Sequence, residues 1–483
     1  MSDKRCNATA VFVLLSVVIL GYSGTVGTGF VSDDFVLVHR IASDGYFTSW
    51  GGENGSAFFR PAITLSYLAD FGIWGSNPAG FHITNVLWHL FAGIAVFLLL
   101  LSLLKQNRFP QPCLFALLSS ALFLSLASHS ESVAWVSGRT DVIATALALF
   151  SIFFFYRYQS KPSTTNAVFA VVLCSLGLLA KESAIVTPLL WGAVFIYGSA
   201  AGRENQNGSR WLLAVSLLLT GMYLAFRIVS DGSLFSNMKS GGFLSFSVAG
   251  VAESFVRYAF RVFIPPLPIS LRHMVLSHPA LVPVTLFFLV VPLGIAVHRK
   301  ADTRLKRLLL LLTAGFVVSL LPVLSMKVSL FDTQSERFLY LPGVFASGFL
   351  TVAVASVLRK AGTVTVILLA FAVIQGIFLY RSNENWRQAG ALCSDIAESV
   401  SEYDADSVYI LAIPDSFHGA YVFRNGLNEA VALLTGEEQS YTVYCKISSY
   451  GDSLFCENTD MPDLNETGCT IVSFSDRAIL CIH

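Results

Sequence analysis

Charged side chains are scarce in this 483-residue chain. Only 13% of the residues are charged whereas 54% are hydrophobic, and the mean hydropathy is +0.65. Such values lie outside the range of soluble globular proteins. Acidic and basic residues balance to a net charge of zero, and no basic tract is present that would follow a phosphate backbone. The composition therefore predicts a membrane protein and gives no support to a nucleic-acid partner.

The chain also lacks the usual signals for cleavage or division. No small-x-small site follows the first apolar run, at about residues 9–29, which favours a retained signal anchor over a cleaved signal peptide. No internal repeat is visible, and no Gly/Ser or Pro linker divides the membrane part. No CxxC pair or histidine spacing indicates zinc. The sequence thus predicts one membrane module without a metal or other cofactor.

Long apolar runs are abundant. We predict about eleven transmembrane helices, at residues 9–29, 82–104, 112–128, 140–157, 166–180, 183–200, 211–229, 279–298, 308–326, 337–357 and 363–380. Basic residues cluster in every second loop, so the positive-inside rule predicts a cytoplasmic N-terminus and an extracytoplasmic C-terminus. The compact loops favour a bacterial inner membrane; in a eukaryote the location would be the endoplasmic reticulum.

Three extracytoplasmic segments are predicted. Residues 30–81 and 230–278 are long loops of the membrane module 1–380; in the second loop Glu253, Arg257 and Arg261 form a charged stripe on an interfacial helix. Residues 381–483 carry strand and helix patterns that predict a small α/β domain. Its four cysteines predict two disulfides with three connectivities, with free thiols as the alternative; they are Cys445, Cys456, Cys469 and Cys481.

Charges near lipid are expensive and often mark a working site. Most of the ionic residues outside the cytoplasmic anchors fall at one predicted face, so the pattern predicts an active site on the extracytoplasmic side. The candidate residues are Asp33, Asp34, Arg60, His82, His129, Glu131, Arg139, Asp141, Lys181, Glu182, Glu336 and Arg337.

Each candidate also has a structural explanation. Adjacent carboxylates repel, which suits Asp33 or Asp34 to general-base chemistry, but an acidic helix start is an equal alternative. Arg60 is suited to a phosphate, or else lies at the interface with its charge in water. Arg139 sits where an anionic headgroup would lie, or else pairs with Asp141 or Glu131.

Two further pairs and one helix stripe have similar alternatives. Lys181-Glu182 lies between two apolar runs and Glu336-Arg337 opens another, so either pair is a site or an interhelical salt bridge. His82 shares one helical face with Asn85 and His89, and this stripe indicates helix packing or a headgroup contact.

Five segments resemble one family in the same order: SDDFVLV, FRPAITLSYLADFGIWGSNPAGFHITNVLWHL, HSESVAWVSGRTD, LLAKESA and SERFLYLP. They resemble the polytopic glycosyltransferases of the GT-C fold, especially the transmembrane-and-TPR O-mannosyltransferases and their bacterial relatives. The resemblance covers roughly residues 30–390. No TPR array follows RSNENWRQA, so the resemblance does not imply a protein acceptor.

The resemblance implies a function and roles for particular residues. In that fold an acidic residue of the first outer loop is the catalytic base, and Asp33 matches the first acid and Asp34 the second. GRTD resembles the stretch whose arginine contacts the lipid phosphate, which implies that role for Arg139. The implied reaction is a single, inverting displacement that needs no metal and transfers a mannose-like sugar from a polyprenyl-phosphate carrier to an extracytoplasmic hydroxyl of unknown acceptor. The main alternative is a secondary transporter or lipid flippase, which usually places ionic groups near the bilayer midplane.

Overall fold

The structure is a computed structural model of the chain. It describes residues 3–48, 59–203, 205–231, 247–266, 302–358, 360–402, 407–436, 441–447, 454–456, 469–474 and 479–482. The predicted span at 279–298 lies outside these residues.

Helices make up most of the described chain. They are α1 (Asp3–Tyr22), α2 (Asp33–Thr48), α3 (Pro61–Trp74), α4 (Pro78–Gln106), α5 (Pro112–Ser125), α6 (Ser130–Ala134), α7 (Arg139–Ser160), α8 (Thr164–Ala180), α9 (Thr187–Ala200), α10 (Gln206–Asp231), α11 (Val248–Arg261), α12 (Thr303–Leu320), α13 (Tyr340–Leu358), α14 (Ala361–Ser401) and α15 (Leu427–Thr435). Short 3-10 turns occupy Ser23–Gly27, Ala127–His129, Val136–Gly138, Glu182–Val186, Leu321–Val323 and Glu336–Leu339.

The helical polytopic class is confirmed. Within the described ranges, eight helices are long and apolar enough to cross a membrane, and a ninth span results if a bent pair counts as one. That pair, Pro112–Ser125 with Ala127–Ala134, bends by 58°. The apolar helix α8 is shorter. A helix coincides with each predicted span that lies in the described residues, but the number eleven stays a prediction.

Sequence signals explain where several helices begin. Asn77 precedes α4 and its side chain accepts a hydrogen bond from the Ala79 amide at 3.1 Å, while Pro78 occupies the first turn. Ser163 caps α8 in the same way through the Asn166 amide at 3.2 Å. Asp302 caps α12 through the amide of Arg304 at 3.0 Å. These caps satisfy backbone donors that the first helical turn leaves open.

Helix α7 lies at the centre of the bundle. It packs against α4 and α8 and is almost wholly buried, whereas α10 has mostly exposed apolar side chains, as expected of a helix facing lipid. The polar stripe of α4 faces inward: Asn85 donates to the Trp135 carbonyl at 2.9 Å, and His89 contacts the Tyr340 hydroxyl at 2.6 Å. The stripe therefore serves helix packing, one of its two predicted uses.

A disulfide joins Cys6 to Cys113 and so ties α1 to α5. No sequence pattern predicts a bond between these two cysteines. Both lie at helix ends that the positive-inside rule assigns to the cytoplasm, where disulfides are rare. The disulfide therefore disagrees with the predicted orientation of the chain in the membrane, and that orientation stays a prediction.

The charged stripe predicted for the interfacial helix needs a correction. On α11, Glu253 pairs with Arg257 at 2.7 Å and with Lys327 at 2.9 Å, and these groups are partly exposed. Arg261 does not continue the stripe. Its side chain is buried and pairs with Glu336, because its guanidinium turns toward the start of α13.

Helix α14 crosses the predicted boundary at residue 381 without a break. Its 41 residues span about 60 Å, roughly twice the hydrocarbon thickness of a bilayer. Its C-terminal half buries Trp386 and Cys393 in a hydrophobic cluster that includes residues of the tail. At Gly390 a Cβ atom would lie 2.7 Å from the Gly29 amide nitrogen, so the close approach of this helix to the end of the first turn requires glycine.

A five-stranded sheet follows α14, in the order β5-β4-β1-β6-β7. Its strands are β1 (Ser407–Pro414), β4 (Tyr441–Ile447), β5 (Leu454–Cys456), β6 (Cys469–Phe474) and β7 (Ile479–Ile482). The short strands β2 (Ser416–Phe417) and β3 (Ala420–Tyr421) form a separate hairpin. Central β1 is parallel to β4 and β6, and the edge strands are antiparallel.

The strands and α15 coincide with the runs that suggested an α/β domain. The backbone register places Cys445 opposite Cys456. The division at 381 and the disulfide pairing stay predictions.

Candidate active site

The start of α2 separates the two adjacent acids. Asp34 is fully buried and both of its oxygens are engaged: Oδ1 accepts from the Ser137 amide at 2.9 Å and hydroxyl at 2.5 Å, and Oδ2 accepts from the Val31 amide at 3.2 Å. Burial raises the pKa of Asp34 to about 7, against these hydrogen bonds, which lower it. Asp34 therefore fastens the start of α2 to the turn before α7.

Asp33 points the other way. It is half-buried, and its Oδ1 accepts a hydrogen bond from the Asn425 side-chain amide. Its Oδ2 accepts none from the residues that the structure describes. Because successive helical residues are about 100° apart, one acid turns into the bundle while its neighbour keeps an oxygen for another partner.

Arg139, the arginine implied to bind the lipid phosphate, is fully buried. Its Nη1 donates to Asp70 at 2.5 Å and to Ser66 at 2.9 Å, and Nη2 donates to the Phe81 carbonyl at 3.0 Å. The guanidinium also lies 4.3 Å from the centre of the Tyr67 ring. Arg139 is thus an interhelical connector with Asp70 as its partner, and the expected pairing with Asp141 or Glu131 was wrong.

Arg337 occupies a more open position. Its Nη1 donates to Glu131 at 2.9 Å and lies 3.3 Å from the Tyr421 hydroxyl, while its backbone amide donates to the other Glu131 oxygen at 2.8 Å. The Arg337 side chain is 25% exposed and Glu131 is buried. In the described residues nothing hydrogen-bonds to Nη2 or Nε, so two donor groups remain for an anion. The charge of Arg337 interacts with that of Asp33.

Two further ion pairs lie beside Arg337. Lys181 binds Asp141 at 2.5 Å, and both are nearly buried. Arg60 binds Glu182 through two bonds of 2.6 and 3.0 Å, with side chains 20% and 30% exposed. Electrostatic interactions connect Lys181 with Arg60 and Arg337.

We call this group of charges the rim cluster. Its members are Asp33, Arg60, Glu131, Asp141, Lys181, Glu182 and Arg337. Seven of the twelve predicted site residues therefore lie together, at the ends of helices that come from distant parts of the chain.

The other five predicted residues lie apart from the rim cluster. Asp34 and Arg139 are the connectors already described, and Glu336 is buried against Arg261. His129 lies in an aromatic cluster, with ring centres 4.5 Å from Tyr340 and 4.6 Å from Phe123. His82 is buried near the start of α4.

Sequence reasoning missed three residues that bind predicted site residues, and two of them, Tyr421 and Asn425, contact the rim cluster. Asp70 holds Arg139, Tyr421 donates its hydroxyl to Glu131 at 2.9 Å, and Asn425 binds Asp33. Asp70 lies within FRPAITLSYLAD, a quoted segment, and Tyr421 and Asn425 lie in the tail. None carried a charge pattern that marks a site.

In the described part of the chain, no group of three or more His, Cys, Asp or Glu side chains is placed to hold a metal ion. The absence of a cofactor stays a prediction.

Comparison with known proteins gives matches to one group of enzymes. No family model matches the chain. The chain is 30% identical over 220 residues to protein O-mannosyl-transferase Tmtc1 of Drosophila melanogaster. The aligned region covers 42% of this chain and 23% of that protein. The chain resembles protein O-mannosyl-transferases.

Other relatives give the same result. Identity to Tmtc2 of Drosophila melanogaster is 32% over 225 residues, and the aligned region covers 42% of this chain and 23% of Tmtc2. Identity to TMTC1 of Homo sapiens is 28% over 181 residues, and the aligned region covers 34% of this chain and 20% of that protein. The match therefore spans less than a quarter of the length of these relatives.

Two solved structures align with most of the chain. ArnT from Cupriavidus metallidurans bound to undecaprenyl phosphate gives a TM-score of 0.46 at 12% identity, covering 91% of this chain and 86% of that one. The oligosaccharyltransferase AglB from Archaeoglobus fulgidus, in complex with an inhibitory peptide and a dolichol-phosphate, gives 0.48 at 10% identity, covering 90% and 64%.

Proposed function

We propose that this multi-pass membrane protein is an inverting glycosyltransferase. It moves a mannose-like hexose from a polyprenyl-phosphate carrier to an acceptor hydroxyl on the extracytoplasmic side. The relatives named as O-mannosyl-transferases favour mannose. The acceptor stays open, because the match spans only part of those relatives.

The observation that carries the proposal is the electrostatic interaction between Asp33 and Arg337. Asp33 offers a carboxylate oxygen, and the guanidinium of Arg337 has donors left for an anion. A base and a cation within electrostatic reach of each other are the two groups that this displacement requires.

The proposed reaction is one step. Oδ2 of Asp33 takes the proton of the acceptor hydroxyl as the acceptor oxygen attacks the anomeric carbon. The bond between that carbon and the phosphate oxygen breaks, and its electron pair leaves with the polyprenyl phosphate. Arg337 and Lys181 stabilise the negative charge of the departing phosphate.

The alternative of a transporter or flippase fits the rim cluster less well. Lys181 lies between α8 and the turn Glu182–Val186, and Arg337 lies in the turn before α13. Both positions are at helix ends, whereas transporters usually hold their coupling ions and substrates near the bilayer midplane.

A transfer assay with two adjacent variants tests the proposal. Purified protein in detergent receives radiolabelled dolichyl-phosphate or undecaprenyl-phosphate mannose, with water as the default acceptor. We expect Asp33→Asn to lower sugar release by about 10²- to 10⁴-fold, the usual contribution of a general base. Asp34→Asn is the matched control and should retain most activity per folded molecule.

The two variants separate the outcomes. Full activity of Asp33→Asn contradicts the assignment of Asp33 as the base. Equal losses of activity in both variants would show that the two aspartates support the structure and that neither acts as the base. If the unaltered protein binds neither lipid, the transporter alternative gains support.

A further inference from the structure

The tail closes over the start of α2. The amide of Ser32 donates to the Val422 carbonyl at 2.9 Å, and Ser32 has a positive φ of 46°. At Gly426, where φ is +84°, a Cβ atom would lie 2.6 Å from the Ser32 carbonyl oxygen. Only glycine permits this approach, so the segment 415–426 is built to lie against the residue that precedes Asp33.

Asn425 connects this segment to Asp33. The Ser32 hydroxyl donates to Oδ1 of Asn425 at 2.8 Å, and Nδ2 of Asn425 donates to Oδ1 of Asp33. A flip of the amide would set two acceptor oxygens, Oδ1 of Asn425 and Oδ1 of Asp33, against each other, so the hydrogen bond to Asp33 determines the orientation. The amide thus has one orientation, and it holds one oxygen of Asp33 while leaving the other for a substrate proton.

The same segment also contacts the Glu131–Arg337 pair of the rim cluster. The hydroxyl of Tyr421 donates to Glu131, which in turn holds Arg337. The ring centre of Tyr421 lies 4.9 Å from that of Trp135, and the guanidinium of Arg424 lies over the Tyr421 ring, 4.3 Å from its centre. One short stretch of the tail therefore contacts both the proposed base, Asp33, and the carboxylate that holds Arg337.

We propose that Asn425 is a positioning residue that orients Asp33 for proton transfer, and that the segment 415–426 is part of the active site. This inference rests on the proposed function. The tail thereby has a role in the transfer reaction at the rim cluster. Asn425 affects the rate through Asp33 and does not contact the lipid carrier.

A kinetic comparison of Asn425→Ala with Asn428→Ala tests the inference. Asn428 lies three residues further on, and its side chain accepts from the Tyr441 amide at 3.1 Å, away from Asp33. Loss of a hydrogen bond to a charged group should lower kcat of Asn425→Ala by about 10- to 100-fold while KM for the lipid donor stays unchanged. Asn428→Ala should keep both constants.

A second variant tests whether the amide orientation matters. Ser32→Gly removes the hydroxyl that donates to Asn425, and glycine suits the positive φ at this position. If Ser32 acts only through Asn425, the double variant Ser32→Gly/Asn425→Ala should be no slower than Asn425→Ala alone. A merely structural role would give additive losses and would raise KM or lower thermal stability in parallel.

The outcomes distinguish the inference from the proposed function. A kcat of Asn425→Ala within about two-fold of the unaltered protein, or losses matched by Asn428→Ala, overturns the positioning role while transfer itself stands. Absence of transfer by the unaltered protein overturns both. A selective loss of kcat with a non-additive double variant supports the role.

Discussion

Two layers of charge lie at the same end of the helix bundle, and they differ in burial. In the inner layer, Arg139 and Asp70 are 0% and 5% exposed and every strong donor but one is engaged within the protein. In the rim cluster, Arg60 and Glu182 are 20% and 30% exposed, and Arg337 keeps donors for a ligand. We therefore separate the ion pairs by the donors that remain for a ligand. Buried pairs without such donors connect helices, and partly exposed pairs that keep donors are candidate site residues.

The Asp pair repeats this division over one residue. Asp34 receives three hydrogen bonds inside the bundle, and Asp33 receives one from the tail. Their sequence context is the same, so the difference in role arises entirely from the direction in which each side chain leaves α2.

The largest expected effect tests the inner layer through stability. Asp70→Asn leaves the guanidinium of Arg139 buried without a counter-charge, which should destabilise the protein by roughly 3–5 kcal/mol. Thermal unfolding in detergent, followed by tryptophan fluorescence, measures the loss. The double variant Asp70→Leu/Arg139→Met removes both charges and should recover most of the stability. An unchanged midpoint in Asp70→Asn would show that this pair is not a connector.

The next effect tests the rim cluster through activity. Arg337→Gln should lower kcat for transfer by about 10²- to 10³-fold, because a donor to the developing phosphate charge is lost. The same change leaves buried Glu131 without its cation, so stability is measured in parallel.

A double variant separates the two consequences for Arg337. Glu131→Gln/Arg337→Gln neutralises both partners and should regain stability but not activity. Recovery of activity together with stability would assign Arg337 to the inner layer.

A smaller effect concerns the pH dependence of Asp34. Burial raises its pKa in the folded protein to about 7, above the ordinary carboxyl value near 4. A raised folded pKa stabilises the protonated form, so this stability is complete below about pH 4 and is lost as the pH rises through 7. Between about pH 6 and pH 8 the loss should be about 1 kcal/mol.

Comparison with Asp34→Asn isolates that contribution, because the variant cannot titrate at this position. The unfolding midpoint of the unaltered protein should fall relative to that of Asp34→Asn over this pH range. A constant difference between the two proteins would show that Asp34 keeps the same protonation in the folded and unfolded states.

The sequence predicted where charge gathers but not how it pairs. Apolar runs and charge positions sufficed to place Asp33, Lys181 and Arg337 at helix ends. The partner of Arg139 lies 69 positions away in Asp70, and that of Glu131 lies 206 positions away in Arg337. Such pairs depend on the register in which helices pack, and no local spacing encodes it.

Local rules do exclude one wrong pair. Arg139 and Asp141 are two residues apart on α7, and side chains at i and i+2 do not face each other on a helix. The role of the tail is different in kind. Asn425 reaches Asp33 across 392 positions, through a hairpin and a glycine turn whose placement follows from the folded bundle.

The smallest expected effect concerns Arg60 and Glu182 at the outer edge of the rim cluster. Both side chains are partly exposed, so water and salt screen their attraction and Glu182→Gln should change stability by only about 0–1 kcal/mol. The same variant removes a negative charge that Arg60 binds through two hydrogen bonds, which should strengthen the attraction of Arg60 for an anionic lipid. Unfolding midpoints and donor KM, each measured at low and high salt, check both expectations. A loss of several kcal/mol would place this pair with Arg139 and Asp70 in the inner layer, and an unchanged KM would show that Arg60 does not meet the donor.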